Sequence, residues 1–343
     1  MVKIDRLAMT KVFLFGNQGY ASLLLPEFLK KNLNVVGVCT RPPKPIKKQL
    51  RIGVGKLLRQ LHLRSDEGFS QPGPFHGFAT PALQSRRAGI ECFSSKTIIS
   101  DHFSEKMSEL EPDLILVAGF HRLIPKHIYK QAKIAAINFH PSLLPHHRGG
   151  TPNRWVVRNG ERMTGITAHL LSEKFDTGDV VGQCTIDVSA QDTWGDVELN
   201  LANRMVSFAV EIIGKAMSND LAAYVQNLEQ GSCESSFGGA DCQVSWRLPA
   251  IEIRQICNAI RPISGGLADF RARPVCLWDV EPVSSDTENA EPGTIVDVTK
   301  MGAPIVSCGT GAAQLNDFLR HGRVIPAAEL RQDLNWQVGD KFD

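Results

Sequence analysis

The chain has 343 residues, and 38 Lys and Arg against 36 Asp and Glu leave it near neutral, which argues against a surface built throughout for polyanions. That length suits two domains, or one large domain with an appendage. Eight cysteines are scattered without a CxxC pair, so a disulfide-stapled secreted fold is disfavoured and reduced thiols in a cytoplasm are expected. In chain order, residues 11–16 (KVFLFG) form a short apolar run that suits a buried parallel strand. Residues 22–31 carry helical periodicity and end in lysines, which favour a helix C-terminus. Residues 34–40 (NVVGVCT) read as the next strand. This strand–helix–strand order predicts an α/β domain with a parallel sheet.

From Arg41 to Arg64 there are eight Lys or Arg and no acid, and a Gly/Pro/Ser-rich piece follows over 70–77. Residues 41–77 therefore read as a long basic insertion, and excursions of this length are usually functional or mobile. The alternation resumes with a short helix at 81–87, a strand at 90–93 and a helix at 103–110. Residues 112–119 (PDLILVAG) form the strongest buried strand; a short helix at 126–131 and a strand at 135–139 follow. Strands at 164–171 and 180–188 and a long helix at 197–217 complete a domain over 1–228. Residues 229–243 open Gly- and Ser-rich and read as a linker. Beyond them, 244–246, a helix at 251–260 and short β-like runs at 275–280, 293–298 and 304–307 predict a small β-barrel-like domain over 244–343. The apolar run at the N-terminus is too short for a secretory signal, and no run reaches the length of a membrane span.

The chemistry concentrates in 136–179. Asn138 and His140 stand two apart at the end of a predicted core strand, so both point to one side. Ligands of open α/β sheets bind at that end. An amide donor beside an imidazole can hold a developing oxyanion and shuttle a proton in acyl transfer. Asp176, in the loop FDTGD, could orient the imidazole, with Asp179 as its competitor. A dinucleotide reading of Gly16-Asn17-Gln18-Gly19 is weak, because GxGxxG is incomplete and no acid ends the second strand. His146 and His147, taken with His140 and His169, lack a carboxylate or cysteine at a ligand spacing, so no metal is expected.

The string NFHPSLLP at 138–145, then Arg148 and Gly149, TGIT at 164–167 and DTGD at 176–179 resembles the 10-formyltetrahydrofolate-dependent formyltransferases. Their methionyl-tRNA, glycinamide ribonucleotide and amino-sugar branches share this pattern, and the resemblance spans residues 11–217. It implies a Rossmann-like catalytic domain, and the C-terminal region is similar to the small OB-type barrel of the tRNA and sugar branches. It implies that Asn138 bonds the formyl oxygen and the oxyanion, that His140 stabilises that intermediate and relays a proton, and that Asp176 pairs with the imidazole and, through water, accepts the amine proton. Arg122, Leu123 and Ile124, with Ser142, Leu143, Leu144 and Pro145, would line the folate pocket. Ser172 and Phe175 would close over the pterin.

The acceptor is expected to be a small amine, foremost a nucleotide-linked amino sugar. Trp155 offers a flat wall beside it, and Arg148 a contact for an anionic substrate. The alternative is methionyl-tRNA, because the basic insertion stands where the tRNA branch carries one, although the C-terminal domain is less basic than a tRNA grip requires. A folate-binding protein without activity is the third reading, disfavoured because all three catalytic positions are filled.

Overall fold

The computed structural model describes residues 8–42, 73–285, 287 and 290–343. Most of the basic insertion, residues 43–72, lies outside the described residues. A seven-stranded sheet forms the first half, in the order β3-β2-β1-β4-β5-β7-β8. β1 (Lys11–Gly16), β2 (Asn34–Thr40), β3 (Cys92–Ser94), β4 (Leu114–Ala118) and β5 (Ala135–His140) run parallel. β7 (Met163–Leu170) and β8 (Val180–Asp187) add an antiparallel hairpin at the edge. β6 is the two-residue piece Arg148–Gly149.

The apolar runs become central strands because both faces of the sheet are covered. Along β1, Val12 and Leu14 enter one core with Leu24 and Phe28 of α1 (Tyr20–Lys30) and Leu201, Phe208 and Ile212 of α6 (Trp194–Met217). Phe13 and Phe15 enter the opposite core with Phe103 and Met107 of α3 (Asp101–Leu110). Burying each such side chain contributes about 1.5–3 kcal/mol. The remaining helices here are α2 (Pro81–Ala88), α4 (Lys126–Tyr129) and α5 (Pro152–Arg158). Thr193 caps α6, its hydroxyl accepting from the Asp196 N–H while the Asp196 carboxylate accepts from the Thr193 N–H.

The second half holds α7 (Ala250–Asn258) and an antiparallel sheet. β10 (Gly266–Phe270), β11 (Arg273–Val283), β14 (Ala312–Arg320), β13 (Pro304–Ser307) and β12 (Ile295–Val298) follow one another, with β15 (Arg323–Pro326) beside β14. α8 (Ala327–Leu334) follows β15. The chain end joins the two sheet edges: Phe342 bridges Phe270 and Lys341 bridges Thr294. That closure makes the domain barrel-like and encloses Trp336, Phe270, Phe318 and Phe342. Residues 244–246, expected as a strand, form no named strand; the Val244 N–H donates to Leu267 O and Trp246 O accepts from the Gly309 N–H.

The stretch 229–243 was expected to be a linker, and it is pinned to the first domain. Its β9 (Cys233–Glu234) pairs in parallel with β6, and Phe237 N–H donates to Thr151 Oγ1. Small residues permit this approach: a side chain on Gly231 would meet Pro145 O at 2.1 Å. The Gly/Ser composition serves close contact here, not slack.

Candidate active site

β4 and β5 end side by side, and a cavity of about 690 Å³ opens over their C-terminal ends. Its floor carries Asn138 and His140. Antiparallel pairing sets His169 of β7 directly opposite Asn138. The β7–β8 loop then delivers Asp176, held in the left-handed region (φ 56°). Gln226 fixes that loop by donating from Nε2 to Asp176 O at 3.2 Å and to Gly178 O.

The four side chains meet. Asn138 Nδ2 donates to Asp176 Oδ1 at 3.3 Å and lies 3.0 Å from His169 Nε2. His140 Nδ1 lies 3.4 Å from Asp176 Oδ1, and Gly149 N–H donates to Asp176 Oδ2 at 3.1 Å. His140 Nε2 lies 2.9 Å from the carbonyl of His147, which can only accept, so Nε2 carries a proton and Nδ1 is the nitrogen that titrates. By the same logic His169 donates from Nδ1 to Leu170 O and accepts the Asn138 amide at Nε2.

Burial would raise the Asp176 carboxyl, but His140, His169 and the Gly149 N–H outweigh it and hold it at about 2. Burial lowers the His140 imidazole below 6.5 against the upward pull of Asp176, so it is neutral at neutral pH. The centre is thus an ionised carboxylate facing an unprotonated ring nitrogen. A proton arriving at Nδ1 is stabilised at once. Gly149 has φ 106°, and a side chain there would meet Glu234 O at 2.6 Å, so the position suits glycine alone.

The other expected residues divide. Arg122, Leu123, Ile124, Ser172 and Phe175 line one end of the cavity. Ser142, Leu143, Leu144 and Pro145, expected in the folate pocket, are off its wall. Ser142 is fully buried and donates to His146 O, while Leu144 N–H bonds Thr167 Oγ1, so this turn shapes the loop that returns the His147 carbonyl to His140. Arg148 and Trp155 are also off the wall. Arg148 donates to Ser232 O and Leu228 O, and Trp155 donates to Ser235 O and packs on Phe237. Both side chains hold the 228–237 segment, so neither supports the acceptor assignment.

Asp179 takes no part in the centre; its carbonyl accepts from Leu170 N–H. The glycine-containing turn after β1 has a structural use: Asn17 bonds the Arg41 N–H and the Gly119 carbonyl, tying the ends of β2 and β4 together. Among the described residues, no group of three His, Cys, Asp or Glu is placed to hold a metal, and all eight cysteines are unpaired.

The sequence profile for "Formyl transferase" matches residues 9–213, and that for "Formyl transferase, C-terminal domain" matches 239–334. The chain belongs to the formyl transferase family. A methionyl-tRNA formyltransferase of Aromatoleum aromaticum is 26% identical over 334 residues, covering 97% of both chains. One from Limosilactobacillus fermentum is 30% identical over 75% of this chain and 81% of its own. The same fold is found in the N-formyltransferase of Helicobacter canadensis, solved with folinic acid and dTDP-3-aminofucose. That structure has a TM-score of 0.63 and 15% identity, over 91% of this chain and 99% of the other.

One member of this formyltransferase's loop has a second set of partners. His147 Nε2 lies 2.9 Å from Glu161 Oε1, and Nδ1 lies 3.1 Å from Glu234 Oε1. Burial lowers this imidazole, but the two glutamates outweigh it and raise it above 6.5. For Glu161 the order is the same: burial raises the carboxyl, and His147 outweighs it and holds it below 4.5. The imidazolium's stabilisation is therefore full below pH 6.5 and fades as pH rises through the raised value. The Glu161 contribution is full above 4.5 and fades on acidification. His147→Leu is expected to cost on the order of 1–2 kcal/mol near pH 6, a buried pair's loss discounted for the partial exposure of Glu161. Thermal melts should show wild type losing more Tm than the variant between pH 6.5 and 9. Parallel curves would count against the pairing.

Proposed function

We propose that this formyltransferase moves the formyl group of 10-formyltetrahydrofolate onto the primary amine of a small acceptor, a nucleotide-linked amino sugar. The folate end of the cavity fits a flat ring with an anionic tail. Phe120, Leu123, Ile124 and Phe175 supply apolar walls, with Phe175 55% exposed, and Arg122 and Lys174 supply cations.

The co-substrate brings the electrophilic formyl carbon. Asn138 Nδ2 donates to the formyl oxygen as negative charge builds there. The amine gives up a proton as its bond to carbon forms, and the departing folate nitrogen takes one up. His140 Nδ1 holds that proton in transit, and Asp176 stabilises the imidazolium.

The observation that carries the small-acceptor reading is charge. From Val244 to Asp343 there are ten Lys and Arg against thirteen Asp and Glu, a poor grip for a polyanion. The second reading, methionyl-tRNA, is favoured by the relatives that match along nearly the whole chain. The two are separated by offering 10-formyltetrahydrofolate with either dTDP-linked 3-amino sugars or charged initiator tRNA. A formamide is expected on the sugar. Formamide on the methionyl ester alone would choose the tRNA reading.

A further inference from the structure

A further part of the cavity wall is built by the starts of three helices. Trp194 opens α6 and Glu198 follows four residues later, so both lie on one face. Tyr20 opens α1 and Asn153 stands in the first turn of α5. All four line the cavity. Tyr20 Oη donates to Glu198 Oε2 at 3.0 Å, and Asn153 Nδ2 donates to the same oxygen. Among the described residues these partners are neutral, and no cation is ion-paired with this carboxyl. The nearby cation, Arg154, lies 4.0 Å over the Trp194 ring instead. Burial pushes the Glu198 carboxyl up to about 7, although Tyr20, Arg154 and Trp194 pull it down.

A carboxyl in this setting with only neutral donors is costly, and a group so placed in a cleft points to a ligand. We infer that Tyr20, Asn153, Trp194 and Glu198 form the acceptor subsite, with Glu198 accepting hydrogen bonds from hydroxyls that flank the amine of a sugar-like acceptor. This rests on the small-amine reading of the chain. The chemistry narrows the choice. A phosphate finds no free cation here among the described residues and is repelled by the ionised form of this carboxyl, so any nucleotide part of the acceptor lies elsewhere. The reacting nitrogen does not face Glu198 either, because a carboxylate holds an amine as ammonium, which has no lone pair for attack. Adjacent hydroxyls meet neither objection and match a carboxylate's side-by-side lone pairs.

The test compares a dTDP-linked 3-amino sugar with its analogue lacking the hydroxyls next to the amine, in wild type, Glu198→Leu and Glu198→Gln. Wild type is expected to prefer the hydroxylated amine in kcat/KM by at least about tenfold, since a site built for hydroxyls leaves its polar group unpaired with the analogue. Glu198→Leu should bring that ratio to about one, and Glu198→Gln should retain part of it, because its amide oxygen still accepts. A ratio unchanged in both variants, or equal losses on both amines, overturns the subsite. Calorimetric binding of folinic acid checks that the variants are folded. If wild type formylates neither amine, the small-amine reading fails, and sugar binding still decides the subsite. A Kd about tenfold weaker in Glu198→Leu supports it, and an unchanged Kd overturns it.

Discussion

Alanine at His140 or at Asp176 is expected to lower formyl transfer by about 10²–10⁴-fold, and the double variant to lose little more than either single one. The reason is that one proton position serves both residues. His140 Nε2 is committed to the His147 carbonyl, so only Nδ1 can receive a proton, and Asp176 Oδ1 lies 3.4 Å from it. Remove the carboxylate and the imidazolium forms unassisted; remove the imidazole and the ring nitrogen that takes up the proton is gone. Independent contributions would multiply, and their product in the double variant would sink the unit. The pH profile gives a second measure. In the proposed mechanism transfer needs neutral His140, whose value burial depresses below 6.5, so kcat/KM should be flat at neutral pH and fall on the acid side. Asp176 raises that value against the burial, so Asp176→Asn should move the acid limb lower still as turnover drops. An acid limb that moves upward would contradict the pairing.

Much of this site was legible because its parts lie close together in sequence. Asn138 and His140 alternate on one strand, and apolar runs such as 114–118 announce a sheet buried on both faces. What the sequence hid depends on pairing. His169 read as one of several histidines in a poor metal set, and only the antiparallel register of β5 and β7 sets it against Asn138. Glu198 is a charge within a helical pattern, and nothing local reveals that Tyr20 and Asn153 converge on it. β14 was missed because Asn316 and Asp317 interrupt its apolar run; Asn316 finds its partner in Asp279, on the neighbouring strand. α5 was missed because seven residues behind a proline leave too little periodicity. Arg148 and Trp155 misled for the opposite reason: their residue types suited an acceptor, while the fold uses both to hold the 228–237 segment.

Asn138→Ala is expected to lower turnover by about 10²–10³-fold while folate affinity changes little. The geometry dictates which end of the amide faces the reaction. Asp176 Oδ1 and His169 Nε2 both accept, so the Nδ2 side must face them, and an oxygen there would meet two lone-pair donors. The amide is therefore oriented before substrate arrives. Its longer bond, 3.3 Å to Asp176, is the one an oxyanion can take over. In the proposed mechanism that exchange favours charge on the formyl oxygen as the amine adds, and it contributes little to the trigonal ground state, which is why binding should survive the substitution. Asn138→Asp should lose at least as much, because a second carboxylate beside Asp176 offers no donor and repels the developing charge. Single-turnover rates and calorimetric binding of folinic acid separate the two effects. A variant that binds folate normally and transfers formyl at a near-normal rate would remove Asn138 from the mechanism. One that loses affinity and rate together would make it a binding residue.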